Sequence, residues 1–300
     1  MRALRSGGPP PAAAGRYAAA GRRVDVGGQP VRVAVREGHG DRVPLLVING
    51  IGASLDAMQP FVDALDPAVT VIRFDVPGIG GSPLPLRPYR FSGLCRLIAR
   101  LLSRLGYEVA DVLGFSWGGG VAQHFAALHP RRCRRLVLVS TATGSLMVPA
   151  RPGVLMRMAS PRRQLSPDHL RRAAASVYGG SARRDPAAAG AYEHAPGPSG
   201  SSCGFLYQLT AALGWTSVPF LPLLRQPTLI MAGDDDPIVP VANAHLMHRL
   251  IPDSRLHVYR GGHFGLVTEA RALAPVVERF LDPAGDHGRR PRRFGYWPAA

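Results

Sequence analysis

The sequence predicts an α/β fold, with a mostly parallel central sheet, helices on both faces and a helical cap inserted into it. Three observations carry that prediction. Short apolar runs at 45–48, 69–74, 109–113, 136–139, 228–232 and 256–259 are continuous rather than alternating, as expected of strands buried on both faces. Helical periodicity lies between several of these runs, which calls for right-handed strand–helix–strand crossovers. Between Ser140 and Thr228 lie 87 residues, far more than the dozen or so that one crossover needs, so something is inserted there.

Taken in order, Val24 and Val26, the turn Gly27-Gly28-Gln29, and the alternating Val31, Val33 and Val35 read as an antiparallel hairpin at the periphery. Leu94, Leu97, Ile98, Leu101, Leu102 and Leu105 form one stripe of a helix, with Arg96, Arg100 and Arg104 opposite and Ser92 as the expected N-cap. The core is expected over 24–144 and 223–281, with a cap over 145–222. The cap segment is apolar (Leu146, Met147, Met156, Phe205, Leu206, Trp215) and broken by a Gly/Pro/Ser-rich stretch at 195–204, which suits a mobile lid over the carboxyl edge of the sheet. Met147, Met156 and Trp215 are its candidate substrate-binding residues. Residues 1–23 and 282–300 have no periodicity and are expected to be disordered, basic tails.

The chain has 300 residues, 46% hydrophobic and 19% charged, which fits one large catalytic core with a packed interior. No apolar run is long enough to span a bilayer, and the opening segment lacks the apolar core of a secretory signal, so a soluble, cytoplasmic protein is expected. The net charge of +16 invites a nucleic-acid reading, but seven of those charges fall in the two tails. All 36 basic residues are Arg, amid abundant Ala, Gly and Pro, which points to biased codon usage; no nucleic-acid partner is expected. Cys95, Cys133 and Cys203 are too few and too scattered for a disulfide framework or a metal site, and read as buried small hydrophobes in a reducing compartment.

Chemistry concentrates in Gly114-Phe115-Ser116-Trp117-Gly118, which follows the run at 109–113 and opens a helix expected over 119–128. A G-x-S-x-G sequence in that context makes a sharp turn that presents the serine hydroxyl outward. A serine with a pKa far above 7 needs a base, and the base needs an orienting carboxylate; in this arrangement the chain order is Ser, acid, His. Asp236 is the expected acid, in the carboxylate-rich loop after 228–232, with Asp234 and Asp235 as competitors. Among ten histidines only His263 stands in a Gly-Gly-His-Phe loop just past the last strand. His245 and His248 read as a solvated pair on a helix, and His124 and His129 belong to the helix after Ser116. The backbone N–H groups of Trp117 and of Ile51, in Asn49-Gly50-Ile51-Gly52, are the expected oxyanion donors. The loop Gly78-Ile79-Gly80-Gly81 departs from the dinucleotide spacing and has no acidic residue placed to hold a ribose; with no lysine in the chain, no nucleotide cofactor and no metal are expected.

With these residues in place, the sequence resembles the α/β-hydrolase superfamily, and within it the intracellular poly(3-hydroxyalkanoate) depolymerases that act on medium-chain-length polyesters. The resemblance runs from about residue 30 to 280 through INGIGAS, FDVPGIGGS, PYRFSGL, FSWGGGVAQ, RCRRLVLVSTATGSLMVP, MASPRR, YGG with RRDP, LGWTS, QPTLIMAGDDDPIVP and GGHF. It implies an α/β-hydrolase fold and a serine esterase using Ser116, Asp236 and His263. The implied partner is the surface of a polyester storage granule, met by the cap. The Arg-rich tails, the Gly/Pro/Ser-rich stretch and Phe115 depart from the family pattern and bear on side-chain length preference more than on mechanism. A thioesterase or acyltransferase acting on 3-hydroxyacyl groups of CoA or a carrier protein would use the same nucleophile, and a non-catalytic granule-binding protein would not need it.

Overall fold

The computed structural model describes residues 21–39, 42–159, 177–184 and 201–282. Eight strands form one sheet: β1 (Arg22–Asp25), β2 (Pro30–Arg36), β3 (Leu45–Ile48), β4 (Val71–Phe74), β5 (Ala110–Phe115), β6 (Cys133–Val139), β7 (Thr228–Gly233) and β8 (Ser254–Tyr259), in spatial order β1-β2-β4-β3-β5-β6-β7-β8. The pairs β1–β2 and β2–β4 are antiparallel, and the rest of the sheet is parallel. The hairpin therefore sits at one edge, as its alternating sequence predicts. Its first strand begins at Arg22, so Arg22 and Arg23 belong to the sheet rather than to the basic tail expected over 1–23. The remainder of both expected tails, 1–20 and 283–300, lies outside the described residues.

Continuous apolar strands feed two cores. On β3, Leu46 and Ile48 face one core and Leu45 and Val47 the other, all at most 1% exposed, the period-two division that a doubly covered sheet requires. The first core is closed by helix α2 (Phe91–Arg104) and helix α3 (Trp117–Leu128); the second by helix α1 (Gln59–Ala64) packed on the C-terminal helix Ala270–Leu281. On α2 Leu94, Ile98, Leu101 and Leu102 are buried, Leu97 and Leu105 are half-buried, and Arg96, Arg100 and Arg104 are exposed. Ser92 is not its N-cap: the helix opens at Phe91, with Arg90 extended before it and no side-chain cap. Phe91 is 3% exposed and its ring meets Trp117 and Trp215, so burial of that ring sets the start of the helix.

The long segment between β6 and β7 folds back on itself. An isolated antiparallel bridge joins Gly144 to Thr216 near its two ends. It contains helices Pro152–Ala159, Ser181–Arg184 and Ser202–Ala212 and a short 3-10 turn at Leu221–Leu223. Ser201 caps the third helix, its hydroxyl accepting the Gly204 N–H at 2.9 Å. Residues 195–200 of the Gly/Pro/Ser-rich stretch lie outside the described residues. Cys95 and Cys133 are buried, as expected, but Cys203, in the first turn of this helix, is exposed.

Candidate active site

The carboxyl ends of β5, β7 and β8 each release one loop toward the same point. Ser116 follows β5 directly with φ 52° and ψ −120°, a left-handed conformation that a non-glycine residue holds only when its surroundings enforce it. The Ser116 N–H donates to the Val139 carbonyl at 2.9 Å, and the Ser116 carbonyl accepts from the Thr141 hydroxyl at 2.7 Å, so the end of β6 clamps the turn. The flanking glycines are needed for close approach: a β-carbon on Gly114 would stand 2.5 Å from the Gly118 carbonyl oxygen, and one on Gly118 2.3 Å from that of Ile48. Helix α3 therefore begins at Trp117, two residues earlier than the sequence suggests, and its first turn is pressed against the end of β3.

His263 Nε2 lies 3.0 Å from Ser116 Oγ, and His263 Nδ1 lies 2.8 Å from Asp236 Oδ2. The other carboxylate oxygen, Asp236 Oδ1, accepts the N–H groups of Ile238 at 3.0 Å and Val239 at 2.9 Å, which fixes the carboxylate from behind. Asp236 and His263 are 6% and 3% exposed, while Ser116 stays half-open to solvent. A buried carboxylate beside Nδ1 holds the proton on that nitrogen and leaves Nε2 as the acceptor for the serine O–H.

Three consecutive aspartates make three different attachments. Asp234 Oδ1 accepts the Gly261 N–H at 3.0 Å and ties the loop after β7 to the loop after β8. Asp235 accepts the Gly180 N–H at 2.7 Å and a forked pair of bonds from Arg183 at 2.6 and 2.9 Å; the Arg183 hydrogen bond holds the Asp235 carboxyl below its usual range. Asp236 faces the histidine.

The segment 177–184 of the insertion thus grips both loops. Beyond the Asp235 contacts, the Tyr178 carbonyl accepts the His263 N–H at 2.8 Å, and the Tyr178 ring lies 4.5 Å from that of Phe264. Gly179 and Gly180 have φ of 64° and 54° and pass so near the loops that added β-carbons would stand 1.9 Å from the Asp235 carbonyl oxygen and 2.0 Å from the Gly262 nitrogen. Sequence reasoning assigned no role to Tyr178, Gly179, Gly180 or Arg183, although the Tyr-Gly-Gly run was the signal available.

Of the expected oxyanion donors, Trp117 is the first residue of α3, where backbone N–H groups lack an intrahelical acceptor, and Ile51 lies in the turn after β3. The segment that follows this turn is held by a buried charge cluster. Asp75 Oδ1 accepts the Leu55 N–H at 2.6 Å and Asp75 Oδ2 the Gly81 N–H at 2.7 Å, while Arg32 reaches Asp56 at 2.7 Å and Asp75 at 3.2 Å. Burial pushes the Asp75 carboxyl up against the opposing effect of these bonds. The Gly78–Gly81 loop therefore serves as a carboxylate cradle.

The three cap candidates are dispersed. Met156 is 74% exposed and Met147 is half-buried. Trp215 packs between Phe91 and Phe220, with its Nε1–H donated to His124 Nδ1 at 3.2 Å. His248 is not simply solvated, since its Nδ1 meets the Ser254 hydroxyl at 2.9 Å. Among the described residues no cluster of His, Cys, Asp or Glu is arranged to hold a metal, and no helix is long and apolar enough to cross a membrane.

Residues 43–270 match the family model for the α/β-hydrolase fold, and the chain belongs to that family. A meta-cleavage product hydrolase from Pseudomonas fluorescens IP01 shares the fold with a TM-score of 0.74 at 22% identity, over 88% of this chain and 98% of its own. The chain is also a homologue of a poly(3-hydroxyalkanoate) depolymerase from Ectopseudomonas oleovorans, 50% identical over 261 residues that make up 87% of this chain and 92% of the relative. A more distant relative, 3-oxoadipate enol-lactonase 2 of Acinetobacter baylyi, is 27% identical over 81% of this chain and 90% of its own.

Proposed function

We propose that this protein is a serine esterase that hydrolyses the ester bonds of intracellular poly(3-hydroxyalkanoate) to 3-hydroxy acids or oligomers. The observation that carries the reading is the hydrogen-bonded chain Ser116–His263–Asp236 in a homologue, at 50% identity, of a depolymerase of that polymer. Ser116 Oγ attacks the ester carbonyl as His263 Nε2 takes its proton. The same proton passes to the leaving alkoxide, so the chain end departs as a hydroxyl. Asp236 keeps the Nδ1–H oriented and stabilises the imidazolium, and the amides of Trp117 and Ile51 hold the oxyanion. Water activated by the same histidine then releases the acyl group.

In this reading residues 145–222 act as the cap. Exposed apolar side chains concentrate there, including Leu146, Met156, Leu206, Leu209 and Leu213, which suits contact with an aliphatic polymer surface in the cytoplasm. Met147, Met156 and Trp215 are the proposed acyl-chain contacts. Each methylene buried contributes about 0.8 kcal/mol, so such a cap favours medium-chain side chains over methyl. The test is clearing of suspensions of poly(3-hydroxyoctanoate) and poly(3-hydroxybutyrate), with Ser116→Ala as control. Clearing only the octanoate polymer is expected; release from 3-hydroxyacyl-CoA without clearing of either polymer points instead to the thioesterase.

A further inference from the structure

Gln208, in the helix Ser202–Ala212, is fully buried and touches both loops that flank Ser116. Its Oε1 accepts the backbone N–H of Gly52 at 2.7 Å, one residue past Ile51. Its main-chain carbonyl accepts the indole N–H of Trp117, the residue after the nucleophile, at 2.9 Å. Because the Gly52 nitrogen can only donate, the orientation of the amide is fixed: Oε1 is the acceptor and Nε2 the donor. Nε2 is buried and has no hydrogen-bond partner among the described residues. An unpaired buried donor is costly to a fold. Phe205, one turn earlier, walls the spot, its ring 3.2 Å from where a β-carbon on Gly52 would stand.

We propose that Gln208 Nε2 is a substrate-recognition donor that binds the oxygen on C3 of the acyl group; the proposal rests on the polyester reading of the site. The scissile carbonyl oxygen already has the amides of Trp117 and Ile51 assigned to it. A 3-hydroxyacyl group carries its next oxygen two carbons further along, and Gln208 is bonded both to the turn after β3 and to the residue that follows Ser116. A plain fatty acyl chain has no oxygen there and leaves the buried donor unpaired, and sites built around a hydrogen bond discriminate strongly against analogues that lack its partner. Gln208 is thus assigned to telling a 3-oxygenated acyl group from an ordinary one of the same length.

The experiment compares kcat/KM for the p-nitrophenyl esters of 3-hydroxyoctanoate and octanoate. The wild-type protein is expected to prefer the 3-hydroxy ester by about 10- to 100-fold. Gln208→Met removes both the donor and the acceptor for Gly52, so both esters are expected to slow, the 3-hydroxy ester by about tenfold more than the octanoate ester. Gln208→Glu keeps an acceptor for Gly52 and offers no donor once ionised, so its preference is expected to disappear toward the alkaline end of the pH range, where this buried carboxyl loses its proton. Equal wild-type rates on the two esters overturn the proposal without any variant having to fold. So does a preference that survives in Gln208→Met or, at alkaline pH, in Gln208→Glu, or an equal loss on both esters, which assigns Gln208 to holding the oxyanion loop alone. Failure of the polyester reading is seen separately, as a wild-type protein that hydrolyses the soluble esters but clears no polymer.

Discussion

Arg183 forks onto Asp235 with bonds of 2.6 and 2.9 Å, one residue before the carboxylate that holds the ring of His263. The insertion between β6 and β7 is therefore fastened to the very loop that holds the His263 ring, so the position of one bears on the order of the other. Half of each side chain is open to solvent, which limits what the pair contributes to global stability.

Arg183→Ala tests that relationship. An exposed ion pair contributes about 0.2–1 kcal/mol, so the melting temperature is expected to change little. The loop bearing Asp236 loses one anchor, and kcat is expected to fall by up to about fivefold on a soluble ester, the kinetic equivalent of that energy. Arg183→Lys keeps the charge but not the fork and is expected to recover only part of the loss. Moderate salt should produce a similar change in the wild-type protein and none in the alanine variant. Because Arg183 lowers the Asp235 pKa, the clamp is present above the ordinary carboxylate range and is lost as pH falls through the lowered value.

Gly180→Ala strikes the same junction from the backbone side. With φ of 54° and an added β-carbon placed 2.0 Å from the Gly262 nitrogen, alanine has neither the conformation nor the room. A strained left-handed residue costs about 1–3 kcal/mol, and the cheapest relief is for the segment to lift off the loops after β7 and β8. Esterase activity is expected to fall by roughly 100-fold, the scale of an ångström-sized misplacement of catalytic groups, with the sheet still folding cooperatively. An unchanged rate would show that 177–184 does not order His263.

The Ser116–His263–Asp236 chain predicts a graded and non-additive series. Ser116→Ala and His263→Ala are each expected to remove activity by about 10⁴-fold or more, and the double variant to lose no more than either alone. Asp236→Asn should also be severe, because an amide facing Nδ1 permits the wrong tautomer. Asp234→Asn, whose carboxylate only ties Gly261, is expected to leave kcat within a few-fold. Steady-state rates on p-nitrophenyl octanoate separate these cases.

Much of this arrangement is legible from the chain alone, for physical reasons. Doubly buried strands need unbroken apolar runs, and the Ser116 turn needs two glycines where Gly114 and Gly118 meet backbone at 2.5 and 2.3 Å. What escaped the sequence depends on contacts between distant segments. Asp236 is the expected acid from its place in the loop after β7, but the partners of Asp235 are not legible there, because Gly180 and Arg183 lie 55 and 52 positions away in the chain. Gln208 looks like an ordinary helix residue until Gly52, 156 positions away, is placed against it. The start of α2 at Phe91 rather than after Ser92 reflects a buried ring outweighing a capping preference. Cys203 shows the converse, since a residue type that favours the interior is exposed on a helix.

His124 makes the attachment of Trp215 dependent on pH. Its Nδ1 accepts the indole N–H at 3.2 Å, which requires a neutral ring with the proton on Nε2. Burial, and secondarily the charge of His129, lower its pKa from the ordinary 6.5. A depressed folded-state value means that the bond contributes fully above the unfolded pKa and is lost as pH falls through the lowered value. Acidification should therefore release Trp215 from α3 and loosen the insertion at its Gly144–Thr216 neck before the sheet unfolds. The expected observation is a change in tryptophan emission with a midpoint below 6.5, preceding the loss of far-ultraviolet ellipticity and absent in His124→Gln. A transition of identical midpoint in that variant would place the titrating group elsewhere.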